Sequence, residues 1–240
     1  MTVYPLNLSI IVPLLNEADN LPELMAHIVR LDPAPQQVIL VDGGSVDGSV
    51  AIAKSVLKNA EITQSIIDWY IIESTVGRAQ QMNAGAMLAT GDVLLFLHAD
   101  TELPADAINN VQQAIVQYDW GRFDVRLDSC EPLLKIVGFM INQRSRLMSI
   151  ATGDQAIFIK KSIFEQIGGY PDQPLMEDIE LCKRLKRIAR PACLKSKVTT
   201  SARRWQQHGT WRTIFLMWHL RFDYWRRVSP DVLNQRYYKQ

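Results

Sequence analysis

Hydrophobic and polar positions in the first half of the chain predict strands that alternate with helices. Four short apolar runs predict strands, at Leu8–Pro13, Val38–Val41, Trp69–Ile72 and Val93–Leu97. Two of them, Val38–Val41 and Val93–Leu97, suit strands that are covered on both faces of a sheet. Helical segments are predicted between them, at Asn20–Val29, Ser49–Val56 and Arg78–Ala89. This alternation predicts an α/β domain with a parallel sheet and right-handed crossovers.

The second half of the chain has a less regular pattern. Arg122–Leu127 alternates like a half-exposed strand, and Ala156–Ile159 is a short run that also suits a strand. Helices are predicted at Asp106–Gln117, Leu133–Met148, Ser162–Gln166 and Ile179–Ile188.

Charge is unevenly distributed along the chain, although the net charge is only +1. Residues 1–180 carry 11 Lys and Arg against 23 Asp and Glu, a balance of −12, whereas residues 181–240 carry 15 against 2, a balance of +13. A basic C-terminal quarter indicates an anionic partner, such as phosphate, nucleic acid or an anionic membrane surface. The alternative is that it pairs with the acidic body of the same chain.

Composition favours a soluble or peripheral protein. The 240 residues are 48% hydrophobic, enough to bury the core of one large domain or of two fused lobes. Cys130, Cys182 and Cys193 lack metal-binding spacing, so we expect reduced thiols in the cytoplasm. Leu8–Leu15 has no cationic region before it and is interpreted as a first strand rather than a signal peptide. No uncharged run approaches the roughly 18 residues of a membrane span.

Two of the apolar runs end on carboxylates, which gives the first indication of chemistry. Val38–Val41 leads into Asp42, and Val93–Leu97 leads into His98 and Asp100. Ligands of such sheets bind beyond the carboxyl ends of the strands, so both acids are expected to line one crevice. They suggest a phosphate ligand carried by a divalent cation. The alternative for each aspartate is a helix N-cap.

The turn after the second strand is suited to a nucleotide. Gly43 and its neighbouring glycines let a ligand approach the backbone, and the next helix offers N-terminal amides. Asp42 is an acceptor and suits a base N–H or a ribose hydroxyl. Further candidates on the same rim are Pro13, Asn16 and Glu17, together with Arg78 as a cation for phosphate.

His98 and Asp100 are the candidate metal ligands. Mg²⁺ and Mn²⁺ need only one or two protein carboxylates when a diphosphate supplies other oxygens, and a histidine favours Mn²⁺ slightly. The alternative is an ordinary histidine at a strand end. Downstream, Asp178 next to Glu177 is a candidate general base, although helix capping alone would also explain it.

Six short motifs occur in the order typical of one enzyme family. They are Pro13-x-x-Asn16-Glu17, Val41-Asp42-Gly43-Gly44-Ser45-x-Asp47-Gly48, Gly77-x-Ala79-x-x-x-Asn83-x-Gly85, Gly91-Asp92-x-x-x-Phe96-Leu97-x-Ala99-Asp100, Gly168-Gly169-Tyr170-Pro171 and Glu177-Asp178. Over residues 8–205 the chain resembles the family 2 nucleotide-sugar glycosyltransferases. The motifs are individually weak, and their order makes the resemblance specific.

The resemblance implies a GT-A fold, an α/β domain with a mixed, mostly parallel sheet flanked by helices. It would span residues 1–205, with a nucleotide-sugar-binding half at 1–110 and an acceptor-binding half at 111–205. Residues 206–240 would form a basic, aromatic, helical tail. The implied reaction moves a sugar from a UDP- or GDP-type donor to an acceptor hydroxyl, with inversion and with Mn²⁺ or Mg²⁺.

The resemblance also implies roles for individual residues. Asp42 would contact the base, Asp92 would support the nucleotide rim, and Asp100 would bind the metal. His98 occupies the first place of the family's Asp-x-Asp motif, and this departure concerns the identity and affinity of the metal. Asp178, next to Glu177, would be the general base.

Arg204 and Trp205 resemble the Arg-Trp element that lies beside the diphosphate in this family. Arg203 precedes them and offers a second guanidinium group.

Two other functions remain open at this point. A nucleotidyltransferase would usually carry a Gly-rich, basic loop after its first strand, where this chain has Pro13–Glu17. A sugar-nucleotide binding protein with degenerate catalysis would explain His98 at a metal position. No nucleic-acid motif accompanies the basic charge, so no nucleic-acid partner is expected.

The tail carries aromatic residues at helical spacing, Trp211, Trp218, Phe222 and Trp225, with arginines among them. A basic amphipathic helix of this kind can lie in a membrane interface, which would place the protein at the inner face of a membrane, near a membrane-associated acceptor. The alternative is that these aromatics belong to the core.

Overall fold

The computed structural model describes residues 6–238, except for the side chains of Ala60 and Glu61. The strands are β1 (Leu8–Leu14), β2 (Gln37–Asp42), β3 (Asp68–Glu73), β4 (Val93–Phe96), β5 (Thr101–Glu102), β6 (Trp120–Asp128), β7 (Phe158–Lys160) and β8 (Ala192–Ser201). The helices of the first half are α1 (Leu21–Val29), α2 (Ser49–Val56), α3 (Ala60–Thr63), α4 (Arg78–Leu88) and α5 (Ala107–Ile115). The helices of the second half are α6 (Pro132–Met148), α7 (Lys161–Gln166), α8 (Glu177–Leu185), α9 (Arg203–His208), α10 (Thr210–Trp225) and α11 (Pro230–Tyr238).

The eight strands form one mixed sheet in the order β3-β2-β1-β4-β7-β6-β8-β5. Strands β3, β2, β1 and β4 are mutually parallel, whereas β7 runs antiparallel to both of its neighbours. The predicted α/β class with a mixed, mostly parallel sheet is confirmed. In the parallel half, β2 and β4 are buried along their whole length, as their continuous apolar runs predicted.

Apolar layers cover both faces of the sheet. One layer packs α1 and α5 against strand residues that include Ile10 and Val12, and the other packs α4 and α8 against residues that include Ile11. Because successive strand residues point to opposite faces, each apolar run supplies both layers. Helix α4 therefore lies over the same strands whose ends carry Asp42 and Asp100.

The expectation of a half-exposed strand at Arg122–Leu127 is wrong. Within β6, Arg122, Asp124 and Val125 are buried, because the Arg122 guanidinium pairs with the Asp124 carboxylate. Arg146 of α6 donates to both oxygens of that carboxylate, each at 2.8 Å. A charged residue in an alternating run usually indicates a side chain that is exposed to solvent. Here the charged side chains are buried because they form ion pairs with one another.

Helix α6 completes the hydrogen bonding of β6. β7 pairs with β6 only at Trp120 and Gly121, so the main chain further along needs other partners. The Asn142 side chain accepts from the Val125 amide at 2.8 Å and donates to the Val125 carbonyl at 2.9 Å. These bonds fix α6 beside the carboxyl-terminal half of β6.

The C-terminal helices return to the body of the protein. Leu220 of α10 and Leu233 of α11 are buried in a cluster with Leu175, Met176 and Ile179, at the start of α8. Among the described residues, no helix is both long enough and apolar enough to cross a membrane.

We expect Asp124→Asn to destabilise the protein by about 3 kcal/mol, because it leaves the buried Arg122 guanidinium without its charged partner. Urea unfolding would measure the loss. The matched control is Asp128→Asn on the same strand, where the side chain is exposed and the change should stay within about 0.5 kcal/mol. Equal stabilities for the two variants would contradict a structural role for this ion pair.

Candidate active site

Parallel pairing brings the carboxyl ends of β1, β2 and β4 to one edge of the sheet. Leu14 ends β1 opposite Asp42, which ends β2, and Pro13 pairs with Val41 one step earlier. β4 ends at Phe96, and His98 and Asp100 follow within four residues. The predicted crevice at this edge therefore exists, with the two acid-bearing loops side by side.

The Asp42 carboxylate is buried and only partly satisfied. Its Oδ2 accepts from the Gly44 amide at 2.9 Å and from the Ser45 amide at 3.0 Å. Its Oδ1 is buried without a hydrogen-bond partner. Since buried polar atoms are normally paired, this oxygen is an acceptor suited to a ligand donor.

Gly43 allows a close contact that holds two strand ends together. A Cβ at this position would lie 2.9 Å from the Gln81 Cδ. The Gln81 side chain donates to the carbonyls of Leu14 and Val41 at 2.7 and 2.8 Å. Gly43 thus supports the geometry of the rim through Gln81.

Asn16 and Glu17 connect the first two loops. The Asn16 amide donates to Ser45 Oγ at 2.9 Å, its side-chain oxygen accepts from the Val46 amide at 2.9 Å, and the Glu17 amide donates to Ser49 Oγ at 2.9 Å. Asn16 therefore orders the rim, and the Glu17 side chain reaches the cavity described next.

A cavity of about 750 Å³ lies beyond the strand ends, beneath α6, α8 and α10. Eight of the predicted site residues line it: Glu17, Arg78, His98, Asp100, Glu177, Asp178, Arg204 and Trp205. Residues separated by almost two hundred positions in sequence thus share one volume. Pro13, Asn16, Asp42 and Gly43 lie on the adjoining rim rather than in the cavity wall.

His98 and Asp100 fit a divalent cation that is shared with a ligand. Burial lowers the pKa of His98, and Arg78 lowers it further against the opposing effects of Asp154 and Asp100, so the imidazole is neutral and can coordinate. Asp100 is an exposed carboxylate on the same cavity. Within residues 6–238, no cluster of three or more His, Cys, Asp or Glu forms a metal site. Oxygens of a diphosphate would have to complete the coordination.

Asp178 is held at the start of α8 by two main-chain donors. The Gly153 amide donates to its Oδ2 at 3.1 Å, and the Ile179 amide donates to its Oδ1 at 2.7 Å. Burial, together with the neighbouring Glu177 and Asp154 carboxylates, raises the pKa of Asp178 to about 7. A carboxylate that titrates near neutrality can accept a proton from a hydroxyl.

Glu177 is buried beside Asp178, and burial raises its pKa while Arg78 lowers it. The pair therefore carries less negative charge than two free carboxylates would.

Gly153 brings the two candidate centres together. A Cβ at this position would lie 2.3 Å from the His98 Nε2, so the imidazole ring lies directly against the glycine. The same residue donates its amide to Asp178. A side chain at position 153 would therefore displace the candidate metal ligand or the candidate base.

Arg204 and Trp205 reach the cavity in different ways. The Arg204 guanidinium lies 3.6 Å from the centre of the Tyr237 ring and donates to the Tyr237 carbonyl at 3.1 Å. Trp205 packs against a buried cluster that contains Leu127 and Leu134. Helix α11 thus contributes Tyr237 to the site, which the sequence analysis did not anticipate.

Asp92 lies elsewhere. It precedes β4, at the amino end of the strand, and its Oδ2 accepts from the Asn7 amide at 3.2 Å. A separate surface pocket there contains Lys160 and Lys161. The candidate site is at the opposite end of β4, so the expectation that Asp92 supports the nucleotide rim is wrong.

Two further charged residues of the cavity were missed. Arg144 of α6 lines the cavity with Nε and Nη2 buried and without hydrogen-bond partners, and burial lowers its pKa against the opposing charges of Asp178 and Asp154. Asp154 lies in a turn in which the Gln155 amide donates to the Thr152 carbonyl at 2.9 Å and the Thr152 amide donates to the Gln155 side-chain oxygen at 3.3 Å. The Thr-x-x-Gln spacing is a recognised helix-start signal, so this turn was accessible to sequence reasoning, whereas the place of Arg144 was not.

Known proteins resemble this chain over the part that carries Asp42, His98 and Asp100. A family model described as Glycosyl transferase family 2 matches residues 9–132. The undecaprenyl-phosphate 4-deoxy-4-formamido-L-arabinose transferase of Sodalis glossinidius is 34% identical over 116 residues, 46% of this chain and 34% of that protein. The chain thus spans about a third of the length of this curated relative.

Two solved structures share the fold. S. aureus TarS 1-349 in complex with UDP has a TM-score of 0.64 at 17% identity, over 81% of this chain and 60% of that chain. The mannosyltransferase PcManGT from Pyrobaculum calidifontis, in complex with GDP-Man and Mn²⁺, has a TM-score of 0.63 at 20% identity, over 82% and 57% respectively. These likenesses confirm the GT-A fold expected from the sequence.

We expect Asp178→Asn to stabilise the protein increasingly as the pH rises. The folded-state pKa of about 7 lies above the ordinary value of 3.8, so the folded state holds a proton that the unfolded state releases in this window. The parent protein therefore loses stability as pH rises from about 4 to about 7, whereas asparagine cannot ionise.

Thermal unfolding at about pH 5 and about pH 8 would measure this effect. The advantage of Asp178→Asn over the parent should be larger at the higher pH. The exposed-site control Asp128→Asn should keep a constant difference from the parent. An advantage that shrinks toward pH 8 would show that burial does not raise this pKa.

Proposed function

The chain belongs to glycosyl transferase family 2, and from that premise we propose that it transfers a sugar from a nucleotide diphosphate sugar to an acceptor hydroxyl. The observation that carries the proposal is the shared cavity of Asp100, His98 and Asp178. It combines a pair suited to a diphosphate-bound cation with a carboxylate that titrates near neutrality.

The donor would bind along the edge formed by β1, β2 and β4. Asp42 Oδ1, the buried acceptor without a partner, would take a hydrogen bond from the base or the ribose. Arg78 and Arg204 line the cavity and would offer guanidinium donors to the diphosphate. Two solved structures with the same fold contain UDP and GDP-Man respectively. This supports a donor of the UDP or GDP type.

Asp100 and His98 would hold Mn²⁺ or Mg²⁺ together with the diphosphate. When bound, such a cation supplies positive charge against the negative charge that develops on the leaving diphosphate. A neutral imidazole in place of the first carboxylate favours Mn²⁺ over Mg²⁺, because softer nitrogen ligands suit the transition metal better.

Asp178 would act as the general base in a direct displacement. It accepts the proton from the acceptor hydroxyl as that oxygen bonds to the anomeric carbon. The bond between the anomeric carbon and the diphosphate oxygen breaks, and attack from the opposite side inverts the carbon. Gly153 and Ile179 hold the carboxylate in place through their amides, while Arg78 and Arg204 meet the charge on the diphosphate.

We expect Asp178→Asn to lower turnover by about 10²–10⁴-fold, the usual contribution of a general base, and to leave donor binding nearly unchanged. Steady-state transfer and donor titration would separate the two effects. The matched control is Glu180→Gln on the same helix, where the side chain does not line the cavity. Unchanged turnover in Asp178→Asn would contradict the assignment of the base.

We expect UDP- or GDP-sugars to raise the melting temperature only when Mn²⁺ or Mg²⁺ is present, since a ligand that binds the folded state stabilises it by mass action. A thermal-shift screen of both donor types, with and without each metal, would test this.

Asp100→Asn should abolish the metal-dependent part of that shift, and His98→Asp should move the preference from Mn²⁺ toward Mg²⁺. A full shift without metal would reject this cation site. No shift with any donor would reject the donor class as well.

A further inference from the structure

Helix α10 has an exposed aromatic face. Its members are Trp211, Phe215, Trp218, Phe222 and Trp225, with exposed fractions of 63, 54, 64, 54 and 76%. Their spacing alternates between four and three residues, which places all five on one side of a helix. The interpretation of these aromatics as core residues is therefore wrong, and Leu220 on the other side forms the buried contact.

Helix α6 extends this apolar surface. Ile136 and Met140 are each 58% exposed, and both line the same cavity as Trp211 and Trp218. The two helices meet through a cluster that contains Ile141 of α6 and Ile214 of α10. We call the five aromatics, together with Ile136 and Met140, the aromatic surface. A continuous exposed patch of this kind usually marks an interaction site.

Unpaired arginines accompany the aromatic surface. Arg212, Arg221, Arg226 and Arg227 lie on α10 or directly after it, and none of them forms an ion pair within residues 6–238. They belong to the C-terminal quarter, whose charge balance is +13. The alternative that these arginines pair with the acidic body is not realised, so their charges are available to an external anionic partner.

We propose that the aromatic surface docks on an anionic phospholipid bilayer, with α10 lying in the plane of the interface. Tryptophan and phenylalanine bury their rings at the boundary between headgroups and acyl chains, and the four arginines meet the lipid phosphates. Charge complementarity favours this partner over a second copy of the chain, which would place the same arginines against one another.

Docking would present the cavity to the membrane. Trp211 and Trp218 belong both to the aromatic surface and to the cavity wall, and the same cavity contains Asp178. This part of the inference rests on the proposed function. The acceptor is then a membrane-embedded amphiphile, whose apolar part follows Ile136 and Met140 while its hydroxyl reaches Asp178.

Co-sedimentation of the full chain with phosphatidylcholine vesicles, with and without phosphatidylglycerol, tests the proposal. Binding should require the anionic lipid and should weaken when salt is raised, because screening reduces the attraction. Arg212→Gln combined with Arg226→Gln should lower partitioning by about 30-fold. Phe222→Ser combined with Trp225→Ser should abolish detectable binding while leaving the donor-induced thermal shift unchanged, since neither residue lines the cavity.

Two control variants make the test specific. Lys54→Gln combined with Lys58→Gln removes two exposed charges, one on α2 and one two residues after it. Ile66→Ser combined with Met87→Ser removes apolar side chains that are 85 and 86% exposed elsewhere. Both should bind vesicles like the parent. The proposal would be overturned if the parent did not bind vesicles, or if the controls lost as much binding as the test variants. It would also be overturned if the parent were a dimer that vesicles leave intact but that Phe222→Ser combined with Trp225→Ser dissociates.

Vesicle binding and chemistry fail separately. Asp178→Asn should bind vesicles normally, because Asp178 lies in the cavity wall and belongs neither to the aromatic surface nor to the four arginines. If this variant loses turnover but still binds vesicles, the result tests the general base alone. If the parent protein transfers sugar but does not bind anionic vesicles, only the proposed docking surface is rejected.

Discussion

Parallel pairing of β1 with β2 and β4 is the constraint on which the site depends. It places the ends of three strands at one edge of the sheet, so the loops that carry Asp42 and Asp100 must lie together. Gln81 reinforces this edge from α4 by bonding to the carbonyls of two strands, and Gly43 leaves room for it. The second half of the chain adds Asp178, Arg204 and Tyr237 to the cavity at this edge.

Burial shifts the pKa values of two cavity residues in opposite directions, and both shifts favour the uncharged form. It lowers the pKa of His98 and raises that of Asp178, because a poorly solvated site disfavours charge of either sign. The imidazole is thereby kept free to coordinate, and the carboxylate is brought into the range of a general base. Gly153 contacts both groups, so the two effects arise in one small region. The cost is stability, since ionised Asp178 is poorly solvated when the protein is folded.

The C-terminal helices connect the cavity to the outside surface. Leu220 and Leu233 anchor them near the start of α8, and Tyr237 stacks on Arg204 within the cavity. The opposite side of α10 is left exposed and aromatic. One group of helices therefore completes the wall of the site and forms the surface through which we infer that the acceptor arrives.

Local periodicity and the geometry of parallel strands were enough to predict the alternation of strands and helices, the α/β class and the grouping of acids at strand ends. The mixed sheet was expected only from the family resemblance. The role of Asp92 at the nucleotide rim was implied only by the family resemblance, and it fails because Asp92 precedes β4, at the end of the strand away from the candidate site. Sequence reasoning also missed the burial of Arg122 and the place of Arg144. Local patterns could not predict which charges are paired or which face of α10 is exposed, because burial depends on contacts between residues that are distant in sequence.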